Sequence, residues 1–127
     1  MPFMPFLTDD ALLFFGGKPA ELDLYCQFAP WLAEHFPEAV LDVQKTQLTF
    51  RGPKFFCAIS IRRMVRRPGP YLVLTFGLFR PLNHPRAALS AHPTPKRWTH
   101  HVLLAGPEDW DETVLDWLNE AWELASK

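Results

Sequence analysis

The apolar residues of this chain change period twice, and that change restricts the folds open to it. Between residues 19 and 36, Leu22, Tyr25, Cys26, Ala29, Leu32, Ala33 and Phe36 recur at spacings of three and four, one stripe of an α-helix. Between about 41 and 105 the period falls to two, as in strands that bury one face. From Pro107 it returns to three and four, with Trp110, Val114, Trp117, Leu118, Ala121 and Ala125 on one stripe. A chain of 127 residues has the length of one domain and no room for a second full one. The expected fold is α+β and two-layered: an antiparallel sheet of about four strands (41–50, 54–64, 71–80 and 98–105) with N-terminal and C-terminal helices packed on one face.

Local signals set the boundaries. Thr8, Asp9 and Asp10 precede an apolar run to Phe15 that Gly16-Gly17 closes, the pattern of a short capped helix. Pro37 ends the next helix, and Pro30 inside it, at about 3 kcal/mol, predicts a kink or two helices meeting there. Pro107 suits the first turn of the last helix, followed by acids that favour its dipole. Arg51-Gly52-Pro53-Lys54 and Arg66-Arg67-Pro68-Gly69-Pro70 read as turns between antiparallel neighbours. Pro81, Pro85, Pro93 and Pro95 keep residues 81–97 from forming one regular element, so this stretch reads as a long loop.

The opening MPFMPFLTDD lacks the basic and continuous apolar regions of a secretory signal, and the run from Tyr71 to Phe79 is far short of the ~20 residues that span a bilayer. Cys26 and Cys57 have apolar neighbours and no CxxC spacing, which suits reduced core thiols. A cytoplasmic protein without a membrane partner is expected.

The charges are segregated. No acid lies between residues 43 and 107, where eleven of the thirteen basic residues fall: Lys45, Arg51, Lys54, Arg62, Arg63, Arg66, Arg67, Arg80, Arg86, Lys96 and Arg97. Each flank carries seven acids and one lysine, so two flanks of −6 enclose a centre of +11. This pattern suits an anionic partner for the centre, or acidic helices that neutralise a basic sheet internally.

Strand parity sorts the central residues. Leu48, Phe50, Phe55, Cys57, Ile59, Ile61, Leu72, Leu74, Phe76 and Leu78 form the core set, and if Val102 and Leu104 join them, so do His100 and Trp98. Lys45, Gln47, Thr49, Phe56, Ser60, Arg62, Tyr71, Thr75, Phe79, Thr99 and His101 then point outward. Hydroxyls, an amide and cations on one sheet face suit an anion or a nucleotide, and a merely solvated face has the same composition. The candidate ligand-binding residues are Lys45, Gln47, Arg62, Tyr71, Thr75, Arg86, Arg97, Thr99, His100 and His101. No metal is expected, because adjacent strand residues such as His100 and His101 diverge and no acid or cysteine lies at chelating spacing. Nor is a cofactor. His84 and His92 are expected to be exposed, and Arg62-Arg63-Met64-Val65-Arg66-Arg67 reads as a solvated rim rather than a dedicated nucleic-acid patch.

VQKTQLTF at 43–50, YLVLTFGL at 71–78, the Pro85-Arg86 pair and KRWTHHV at 96–102 resemble a bacterial family known as domain of unknown function 5655. WDETVLDWLNEAWELA at 110–125 is similar to that family's acidic last helix, so the resemblance runs from about Phe14 to the C-terminal region. It implies a small two-layer α/β domain of unassigned activity, shaped like the iron-chaperone-like small bacterial proteins by analogy of fold alone.

Three function classes follow. One is a binding module in which Lys45, Arg62, Arg86 and Arg97 hold a phosphate or carboxylate, Gln47, Thr75 and Thr99 add hydrogen bonds, and Tyr71 or Trp98 stacks a ring. The second is an enzyme of phosphoester type with His101 or His100 as general acid or base. The third is an interaction protein, monomer or homodimer, that pairs through a sheet edge or through Phe56 and Phe79.

Overall fold

A computed structural model of the chain describes residues 5–63, 65–87, 89–94 by their backbone, and 97–126. Lys96 and the side chain of His92 therefore lie outside the described residues. The order is α1 (Asp9–Phe14), α2 (Pro19–His35), β1 (Val40–Val43), β2 (Leu48–Arg51), β3 (Phe55–Ser60), β4 (Leu72–Leu78), a 3-10 turn (Pro85–Ala87), β5 (Leu89–Thr94), β6 (Arg97–Leu104), a second 3-10 turn (Pro107–Asp109) and α3 (Glu112–Ala125). The strands form one antiparallel sheet in the order β1-β2-β3-β4-β6-β5. The α+β class and the helices at both ends are as the sequence implied.

Thr8 caps α1 by accepting a hydrogen bond from the Ala11 amide at 3.2 Å, and Gly17 beyond its end adopts the left-handed φ of 78°. α2 runs through Pro30 as a single helix, so of the two alternatives the meeting of two helices does not occur. Pro30 lies on the exposed side, while Leu24, Tyr25, Phe28, Ala29 and Leu32 are buried before and after it. Burial on both sides offsets the hydrogen bond that the proline removes. The last helix begins later than expected: Pro107 opens a 3-10 turn, and Asp111 then caps α3 by accepting from the Val114 amide at 3.2 Å.

The stretch read as one strand, 41–50, is a hairpin. Its chain reverses at Gln44–Gln47, where the Gln44 amide donates to the Gln47 carbonyl at 2.9 Å, and Leu41 pairs with Phe50. Residues 89–94, expected in a loop, form the edge strand β5. Pro93 falls where its register slips between Ala91 and Thr94, at the sheet edge where a missing amide is tolerated.

The core lies between the sheet and the helices. Leu48, Phe50, Cys57, Ile59, Leu72, Leu74, Phe76, Leu78, Val102 and Leu104 meet Phe28, Leu32, Val114, Trp117 and Leu118 there. Phe56 corrects the parity reading. Phe50 opposes Cys57 while Arg51 opposes Phe55, so Phe56 is the extra residue of a bulge. Its ring turns to the helices instead of outward, 5.1 Å from Phe36 and 4.9 Å from Trp122.

Candidate functional site

The uncovered side of the sheet is built from the residues between those that fill the core. Across it, Thr49 lies beside Ala58, Ala58 beside Thr75, and Thr75 beside His101. Over this row opens a cavity of about 360 Å³, lined among the described residues by Thr46, Gln47, Ser60, Arg62, Thr75 and His101, none of them a carboxylate. Thr46 and Gln47 enter from the β1–β2 turn, and the Gln47 side chain is oriented by donating to Thr49 Oγ1 at 3.1 Å.

Thr75 Oγ1 stands 2.8 Å from His101 Nδ1. Burial pushes the His101 pKa below its ordinary value, and the positive charge of Arg62 and the neighbouring His100 push it the same way. His101 is therefore a neutral imidazole at pH 7. If the Thr75 hydroxyl donates to Nδ1, Nε2 carries the proton and is a donor; if Nδ1 donates to Thr75, Nε2 is a base.

His100 faces the opposite way. It is fully buried on the helix side, its Nε2 donates to the Arg80 carbonyl at 3.0 Å, and its ring packs between Phe76 and Trp98.

Of the ten candidate residues, the structure brings Gln47, Arg62, Thr75 and His101 to this cavity. Lys45 is exposed in the turn that supplies Thr46 and Gln47. Thr99 and Arg97 lie further along the same face, with the Arg97 guanidinium over Gly77, whose Cβ would stand 3.1 Å from it. Tyr71 has outward parity but is only 1% exposed, because the 62–70 loop seals it: its hydroxyl accepts from the Val65 amide at 3.2 Å and donates to the Val65 carbonyl at 3.1 Å. Arg86 does not join them. It sits on the helix side, paired with Asp111 at 2.8 Å, and holds the Asp111 carboxyl below its usual pKa. Sequence reasoning left out Thr46, which belongs to a turn that a continuous strand does not contain, and Ser60, whose outward parity was already legible.

Part of the charge segregation is neutralised within the molecule. Arg51 pairs with Asp42 at 2.6 Å, Arg80 with Glu120 at 2.8 Å, and Arg86 with Asp111, each joining the basic centre to an acidic flank. Among the described residues, no three His, Cys, Asp or Glu side chains converge as a metal site would require.

The sequence profile of a family described as a domain of unknown function, DUF5655, matches residues 13–125. The chain belongs to that family. No curated protein and no solved structure matches it. The DUF5655 span includes every residue that lines the outer cavity, together with Cys26 and Cys57, both free thiols. Among the described residues of this DUF5655 domain, no helix is long and apolar enough to cross a membrane.

Proposed function

We propose that this domain is a binding module that holds an anionic ligand, a phosphate-bearing small molecule or nucleotide, in the outer cavity. The observation that supports this reading most is the lining itself: one guanidinium, three hydroxyls, an amide and a neutral imidazole, with no carboxylate. Arg62 supplies the charge-assisted contact, Thr46, Ser60 and Gln47 supply neutral donors, and either Thr75 or His101, according to which of them donates in their mutual hydrogen bond, supplies one more. Asp42, the acid nearest in sequence to the β1–β2 turn, is engaged by Arg51. Lys45, exposed in that turn, adds attraction at the entrance. The proposed setting is cytoplasmic.

The test is a thermal-shift screen of inorganic phosphate, nucleoside 5′-monophosphates and phosphosugars at low and moderate salt. Wild type is expected to be stabilised by at least one of them, less so as salt rises. Lys45→Ala combined with Arg62→Ala should abolish the response without lowering the ligand-free melting temperature appreciably. No stabilisation of wild type, or an equal response of the double variant, would contradict the reading.

The Thr75–His101 contact supports a second reading, in which Nε2 acts as general base in phosphoester cleavage and Thr75 fills the orienting role that a carboxylate often takes. Release of p-nitrophenol from bis(p-nitrophenyl) phosphate, lost in His101→Gln, would favour it. Stoichiometric binding without turnover would favour the module.

A further inference from the structure

We infer that the anion belongs to a single-stranded nucleic acid laid along the outer face, with the cavity holding one of several phosphates. This rests on the reading above and extends it to residues outside the cavity.

The loop after β3 is constructed rather than merely solvated. The Arg63 guanidinium stacks 4.2 Å over the centre of the Tyr71 ring and donates to the carbonyls of Arg67 and Gly69. Gly69 supplies the left-handed turn, φ 86°, that lets the chain close back on Tyr71. With Arg63 used in this way, Arg66 and Arg67 stand exposed on the loop whose first residue, Arg62, lines the cavity.

At the other end of the same face, Arg97 lies over Gly77 with its guanidinium 5.9 Å from the centre of the Phe55 ring. Lys54, Phe55, Gly77, Phe79 and Arg97, together with Ala121, Leu124 and Ala125 of α3, line a second hollow of about 150 Å³ at this end of the sheet, and Phe79 is 64% exposed. An exposed aromatic ring that shares a hollow with two cations is a platform on which an unpaired base stacks while its phosphate is held.

Val73, the register partner of Ser60, and Leu78, the last residue of β4 before Phe79, are five residues apart, about 16 Å along the strand. A mononucleotide does not bridge that distance. A few nucleotides do, at the low end of the ~4–16 that a single-strand-binding fold covers. An acidic peptide would use the cations but not the exposed ring, and a duplex would keep its base faces from Phe79.

The experiment is fluorescence anisotropy with fluorescein-labelled octathymidylate, competed by thymidine 5′-monophosphate and by an octaglutamate peptide, at 50 and 200 mM salt. The oligonucleotide is expected to bind at least about tenfold tighter than the monophosphate and to weaken as salt rises. Arg66→Ala with Arg67→Ala should weaken the oligonucleotide about tenfold and leave the monophosphate unchanged. Phe79→Ala should weaken it at least about fivefold. Monophosphate binding without a gain for the octamer, octaglutamate competing as well as the oligonucleotide, or an undiminished double variant would overturn this inference alone. Absence of binding by any anion would overturn the pocket reading with it.

Discussion

The two sides of the sheet are made by alternate residues of the same strands, yet they obey different physics. On the helix side, Leu48, Cys57, Leu74, Phe76 and Leu104 are sealed beneath α2 and α3, and the buried His100 finds its partner in a main-chain carbonyl. On the other side the strands present Thr49, which accepts from Gln47, and Ser60, Thr75 and His101, which face the cavity. His100 and His101 are adjacent in β6 and differ by one peptide unit, but one is an element of the core and the other an element of the candidate site. The side a residue faces, rather than its chemical type, decides whether its polarity must be satisfied inside the fold or is available to a ligand.

That contrast can be broken on the covered side first. Trp117, 8% exposed and stacked at 6.0 Å on Phe76, should cost about 3–5 kcal/mol when changed to alanine. Chemical denaturation measures this, and a loss under ~1 kcal/mol would mean that α3 is not packed as described.

The two histidines sharpen the comparison. His100→Phe keeps the ring but strips the Arg80 carbonyl of its donor, at an expected cost of about 1–3 kcal/mol. His101→Ala removes one half-buried hydrogen bond beside a solvent-open cavity and should cost less, about 0.5–1 kcal/mol in the same titration. Equal costs would erase the distinction between the sides.

A smaller effect is visible in pH. The pKa of His101 is lowered in the fold, so the unfolded chain binds the proton more readily. His101 is neutral in both states above its ordinary value near 6.5 and makes no pH-dependent contribution there. As pH falls below that value, the unfolded state gains protons first and stability declines until the folded-state pKa is passed. His101→Gln should flatten this acid-side decline. Arg62→Ala should raise the His101 pKa only partly, since burial is the larger cause. NMR titration of the ring protons checks both, and a His101 pKa at or above 6.5 in wild type would contradict the electrostatics.

The sequence made the helix stripes legible because a 3.6-residue period is imposed by burial on one side, as Val114, Trp117, Leu118 and Ala121 show. Parity placed Gln47, Thr75 and His101 on one face correctly for the same reason. It failed at Phe56, since a bulge puts two residues opposite one and breaks the count. The β1–β2 turn escaped notice because Gln44-Lys45-Thr46-Gln47 contains neither glycine nor proline, the usual turn residues. β5 was hidden by prolines that an edge strand accommodates. The place of Arg86 was not readable either, because pairing with Asp111, 25 residues away, is a product of tertiary packing.

The most direct test of the account is a histidine-ring NMR titration with inorganic phosphate and with a nucleoside 5′-monophosphate. A bound anion beside His101 favours its charged form, so the His101 pKa should rise saturably with ligand while His100, on the far side of the sheet, stays unchanged. If the ring signals of His101 do not move, or move no more than those of His100, the outer face is not an anion site.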